Sequence, residues 1–238
     1  MATRLRLVTG GLTVLVAFLL AATVACDGGG GEGEATPTPV ASEVQNQLKQ
    51  MVLQLEDLPS GVIRAEEFFV TAEESAADSG DREGRLAMLK EWGYIQGYDV
   101  TYQANPAVVS VTGLILVNCT ATLYSSEEGA TASFADAMQT ARTTLAAGAT
   151  GAEGMEAEKV EEVASPPLAD EMLWLRTTAK AEAEEGTEAQ TFADDIVIFR
   201  QGPARAYLRV WWLMDGGRSD FIQQLVEAQA RRLKDALP

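Results

Sequence analysis

The chain has 238 residues, 47% of them hydrophobic, and its 35 acidic and 18 basic side chains give a formal charge of −17. So acidic a surface repels phosphate backbones and anionic headgroups, which excludes nucleic acid as a partner. There is no histidine and there are two cysteines, Cys26 and Cys119, so Ser-His-Asp and Cys-His catalysis and histidine metal sites are excluded.

Arg4 and Arg6 precede a run, Leu7 to Val24, that is almost wholly apolar, and Thr23-Val24-Ala25 then places small residues before Cys26. The basic end is retained inside while the apolar run enters the membrane, so the remainder is exported. We read residues 1–25 as a lipoprotein signal peptide and Cys26 as the lipidated residue and mature N-terminus. Thr23 stands where such signals usually carry leucine. An uncleaved membrane anchor and an ordinary signal peptide cut after an alanine are the alternatives.

Residues 26–41, beginning Asp27-Gly28-Gly29-Gly30-Gly31, can build neither a core nor a helix and read as a flexible tether. Acyl chains on Cys26, each buried methylene contributing about 0.8 kcal/mol, would hold the protein to the cell membrane, facing outside the cytoplasm. Removing residues 1–25 takes away two arginines and no acid, leaving 16 basic and 35 acidic side chains and a formal −19. With Cys26 acylated, Cys119 has no partner for an intrachain disulfide.

Residues 42–238 hold enough apolar residues for one globular domain. Ser42 and Gln45 form a capping box, and Val44, Leu48, Met51, Val52 and Leu55 share one helical face. Val62 to Val70 reads as a strand. Thr71 and Glu74 cap a weak helix that breaks near Ser79-Gly80 and resumes to Trp92, with Gly93 as its C-terminal cap.

Tyr94, Tyr98, Val100 and Tyr102 alternate, as do Val109, Val111, Ile115, Val117, Cys119, Ala121 and Leu123, which predicts a hairpin closed by Ala104 to Ala107. In that register Tyr102 faces Val109, Val100 faces Val111 and Tyr98 faces Gly113. Ser125 and Glu128 cap a helix with Ala130, Phe134, Ala137, Met138, Ala141 and Leu145 inward. The acidic stretch Glu153 to Glu162 leaves its strand content open.

Met172 to Lys180, Gln190 to Arg200 and Ala204 to Met214 read as strands, the last two joined by a turn at Gln201-Gly202. That turn would set Asp194 opposite Arg209, Ile196 opposite Tyr207 and Phe192 opposite Trp211. Ser219 caps a final helix. Two hairpin–helix units, at 94–146 and 190–237, without βαβ alternation predict an α+β fold: a mainly antiparallel sheet with helices packed on one face.

The segments Leu55-Glu56-Asp57-Leu58-Pro59-Ser60-Gly61, Gly93-Tyr94-Ile95-Gln96-Gly97-Tyr98 and Phe199-Arg200-Gln201-Gly202 together resemble a loose set of Gly/Ala-rich bacterial lipoproteins of unassigned function. More distantly they resemble the extracellular sensor domains of bacterial Ser/Thr kinases. The resemblance implies a ligand-facing or envelope-associated module and transfers no catalytic residue. Those sensor domains carry disulfides, which this chain cannot form.

Candidate chemistry is sparse. Cys119 lies on an apolar strand face and reads as core. Asp194 and Asp195 are adjacent in a strand and point to opposite faces, so the pair does not grip one ion, and no metal or cofactor is expected. Asp195 falls on the core side opposite Leu208, which suggests a bulge. Arg205, Tyr207, Arg209 and Trp211 share the other face of their strand and are the candidate ligand-binding residues, suited to a sugar, an aromatic or a carboxylate. The leading expectation is a non-enzymatic, lipid-anchored binding or sensor-like module. A carboxylate-based hydrolase of envelope glycan and a structural lipoprotein without a ligand are the alternatives.

Overall fold

A computed structural model describes residues 39–77, 79–146, 157–181, 189–215 and 219–237. The expected signal peptide, Cys26 and most of the tether lie outside the described residues. Among the described residues no helix is long and apolar enough to cross a membrane.

Seven strands, β1 (Val62–Val70), β2 (Tyr94–Ala104), β3 (Leu114–Tyr124), β4 (Ala157–Glu162), β5 (Glu171–Lys180), β6 (Thr191–Gln201) and β7 (Ala204–Leu213), form one sheet in the order β1-β2-β3-β7-β6-β5-β4. Every neighbouring pair is antiparallel. The helices are α1 (Pro39–Gln50), α2 (Ala72–Ser75), α3 (Arg82–Glu91), α4 (Pro106–Thr112), α5 (Glu127–Ala146) and α6 (Ser219–Asp235). The α+β class and the antiparallel sheet are as expected.

The helices are divided between the two faces rather than gathered on one. Strand alternation sends Val100, Tyr102, Val117, Cys119, Val197, Phe199, Ala206 and Leu208 to one side, where Leu48 and Met51 near α1 and Ile222, Leu225 and Leu233 of α6 cover them. Leu173, Leu175, Ile196, Ile198 and Tyr207 point the other way, against Phe134, Ala137 and Met138 of α5. The antiparallel hairpins β2–β3 and β6–β7 could be related by a two-fold axis normal to the sheet, which would leave α5 and α6 on the same face. They lie on opposite faces, so the two hairpin–helix units are not a symmetric repeat.

Local signals place the ends of elements well. Thr71 and Glu74 form the expected capping box, and Asp81 caps α3 through the Gly84 amide. Gly93 adopts a φ of 68°, the left-handed position that lets the chain leave α3 for β2.

Other expectations shift. Helix α1 begins at Pro39, inside the expected tether, because proline is tolerated in a first helical turn; Ser42 and Gln45 are interior. It stops at Gln50, so Leu55 belongs to a separate 3-10 turn and is exposed. The cap of α5 is Ser126, whose hydroxyl accepts from the Gly129 amide, and not Ser125.

The largest correction is α4. Asn105 caps it through the Val108 amide, Pro106 occupies its first turn, and Gly113 ends it at a φ of 76°. Val109 and Val111 are therefore helical, and Tyr102, Val100 and Tyr98 pair with Val117, Cys119 and Ala121. The same side chains face the core because the displacement of eight residues is even.

Candidate functional site

The β6–β7 hairpin turns on Gly202-Pro203, not Gln201-Gly202: Gln201 pairs with Ala204, and Gly202 has a φ of 50°. Pro203 has no amide hydrogen for the ladder, so the tip is where it fits. The register is thereby displaced by two residues from the expected one. Ile198 faces Tyr207, Ile196 faces Arg209 and Asp194 faces Trp211. Faces are unchanged, and Arg205, Tyr207, Arg209 and Trp211 do share one side, each half-buried.

Their surroundings divide them into two pairs. Arg209 reaches diagonally to Asp194, donating from Nε to Oδ1 at 2.8 Å and from Nη2 to Oδ2 at 2.6 Å. Trp211 stacks on Phe192 with ring centroids 5.7 Å apart. Arg205 and Tyr207 instead enter a cleft of about 350 Å³ between the sheet and α5.

The cleft floor is Ile196, Ile198, Ala137 and Ala141, and its polar lining includes Arg85, Asp136, Thr120, Thr140 and Thr144. Arg85 of α3 donates to Asp136 of α5 at 2.6 Å while its guanidinium lies over the Trp92 ring, which fixes one wall. Arg205 donates from Nη1 to the carbonyl and hydroxyl oxygens of Ser133, at 3.2 and 2.9 Å. Burial pushes the Tyr207 hydroxyl up to about 12, so it is a neutral donor at neutral pH. An apolar floor with a few converging polar groups is the usual composition of a small-molecule site.

Asp195 lies on the core side as expected, but its surroundings differ from the sequence reading. No bulge relieves it: it pairs in regular register with Val210 and with Arg176 of β5 and is fully buried. Arg176 donates to it from Nε at 2.9 Å and Nη2 at 3.1 Å, and the indoles of Trp174 and Trp212 donate at 2.5 and 2.6 Å. Burial raises the Asp195 carboxyl from its ordinary value, and these donors oppose that rise. The available signal was Arg176 and Trp174 alternating in one strand beside an inward aspartate. Asp194 and Asp195 point to opposite faces, as expected of strand neighbours.

Cys119 is fully buried, and burial pushes its thiol above the ordinary range. A second hollow, about 540 Å³, is formed by the 162–172 segment and Trp174, and none of the expected ligand-binding residues line it. No group of three or more acidic or cysteine side chains suited to a metal occurs among the described residues.

No protein-family model matches the chain, and no curated protein matches it. Among solved structures it is similar to the extracellular domain of PknH from Mycobacterium tuberculosis, with a TM-score of 0.49 and 10% identity, over 80% of this chain and 95% of that chain. So distant a likeness transfers no residue's role.

Proposed function

We propose that the chain is a lipid-anchored, extracytoplasmic binding or sensor-like module, tethered through Cys26, whose ligand sits in the cleft between the sheet and α5. The cleft carries this reading: an apolar floor within the size range of ligand sites, roughly 300–1,000 Å³, and polar groups converging on it. The basic and apolar N-terminal run, the small residues before Cys26 and the glycine-rich leash support the anchor.

The cleft favours binding over carboxylate catalysis. A glycan hydrolase needs two carboxyl groups about 5–9.5 Å apart in a cleft. Asp136 is the one acid among the described residues that line this cleft, and Arg85 engages it.

Thermal unfolding of the full chain with cell-wall fragments, sugars and small acids tests the reading. A ligand at about 100 times its Kd adds about 2.7 kcal/mol of stability. At least one class should raise Tm, and Ala141→Trp, which fills the cleft, should abolish that rise. Silence across the panel, or a rise that survives Ala141→Trp, would count against the cleft.

A further inference from the structure

Six arginines among the described residues are half-buried: Arg85, Arg176, Arg200, Arg205, Arg209 and Arg232. Five of them bind carboxylates: Asp136, Asp195, Asp170 with Glu171, Asp194, and Glu56 with Asp57, respectively. Arg205 binds none among the described residues. Its side-chain hydrogen bonds among the described residues go to the two oxygens of Ser133, both from Nη1.

Arg176 and Arg209 grip their aspartates through the Nε–Nη2 edge of the guanidinium. The same edge of Arg205 has no acceptor among the described residues. Tyr207, next along that face, lines the same cleft, and its hydroxyl has no hydrogen bond among the described residues. A half-buried cation without a counter-ion is costly, the more conspicuously where acids are in such excess. Arg85 and Asp136 cancel, which leaves one formal positive charge on the cleft lining, at Arg205, while Asp99, which accepts from Thr120 of that lining, and the Asp194–Arg209 pair stand just beyond it and act on Tyr207.

We infer that the cleft takes a small amphipathic monocarboxylate. Its carboxylate pairs with the Nε–Nη2 edge of Arg205, the Tyr207 hydroxyl donates to it, and its hydrocarbon part lies on Ile196, Ile198, Ala137 and Ala141. The planar fork matches a carboxylate's two oxygens, and a single negative charge matches the single charge of Arg205. A dianionic phosphate monoester would leave a charge unmatched against an apolar floor. This inference rests on the cleft being the binding site.

Calorimetric titration of the full chain in lipid nanodiscs, with empty nanodiscs as blank, tests it with benzoate, phenylacetate and hexanoate, their neutral amides, and phenyl phosphate. The acids should bind saturably, and the amides and phenyl phosphate more weakly by on the order of tenfold or more. Arg205→Gln should erase the preference for acids while Arg205→Lys retains part of it; Arg231→Gln, exposed on α6 at the opposite face of the sheet, should leave the preference unchanged.

Amides or phenyl phosphate binding as well as the acids, or acids binding equally to Arg205→Gln of native-like melting, would overturn the carboxylate inference while leaving the cleft a binding site. Absence of binding by all the acids to the wild-type chain also overturns it. The cleft itself then stands or falls on the broader panel and Ala141→Trp.

Discussion

Asp195 and Arg176 face each other across β5 and β6 inside the core, and both carboxylate oxygens receive a guanidinium hydrogen bond and an indole hydrogen bond. Truncating one partner strands the other charge in a dry site. Arg176→Met should therefore destabilise by about 3–5 kcal/mol, read from denaturant unfolding. Arg176→Met with Asp195→Leu should cost less than the two single changes together, since no lone charge remains. The double variant still leaves the Trp174 and Trp212 N–H groups buried without acceptors, so it should not regain wild-type stability.

Gln229 of α6 substitutes for backbone pairing where α1 has ended. It donates to the Met51 carbonyl at 2.6 Å and accepts from the Leu53 amide at 3.1 Å, fully buried. Tyr102 completes the clamp by donating to the Leu53 carbonyl at 2.6 Å. Gln229→Leu keeps the volume but orphans two backbone groups, at a cost of about 1–3 kcal/mol each. Unfolding should register that loss, and hydrogen exchange at the Leu53 amide should accelerate well beyond the global change.

Glu67 supplies an acid-sensitive contribution. The hydrogen bond from Tyr98, followed by Arg64 and Lys49, lowers its carboxyl below the ordinary glutamate value despite partial desolvation. A lowered folded value means that the contribution is complete above the unfolded pKa of about 4.3 and is lost as pH falls through the lower folded value. Tyr98→Phe should shift the Glu67 titration, followed by carboxyl NMR, back upward and flatten the acid limb of the stability profile. An unchanged titration would contradict the assigned cause.

The two cysteines should behave oppositely. Radiolabelled palmitate should enter the wild-type protein and not Cys26→Ala, which should also leave the membrane fraction; an unlabelled mutant that stays membrane-bound would instead support an uncleaved helix. Cys119, buried with a raised thiol pKa, should resist iodoacetamide in the native chain and react on denaturation, as intact-mass measurement would show.

Much of the fold was legible because hydrophobic period is a local property. Tyr98, Val100 and Tyr102, or Val117, Cys119 and Ala121, must share a face in any strand, and Thr71 with Glu74 or Gly93 mark ends through their own backbone chemistry. The candidate ladder was legible for the same reason: Arg205, Tyr207, Arg209 and Trp211 are each two residues apart and share one face.

Period two is blind to even shifts, and both register errors, eight residues in β2–β3 and two in β6–β7, were even. Asn105-Pro106 and Gly113 carried the correction for the first, and Pro203 for the second, through caps and a missing amide rather than through hydrophobicity.

Sequence by itself determined which residues face together, the start of α2 and both ends of α3, and the excess of acid that leaves little room for an unpaired arginine. Only the tertiary structure decided that α5 and α6 take opposite faces, that Asp195 is held by Arg176, Trp174 and Trp212, and that Arg205 meets Ser133 and, among the described residues, no carboxylate. Those outcomes depend on which strands become neighbours and at what offset. That choice is made by packing across the whole sheet, among residues remote in sequence, and leaves no local pattern to read.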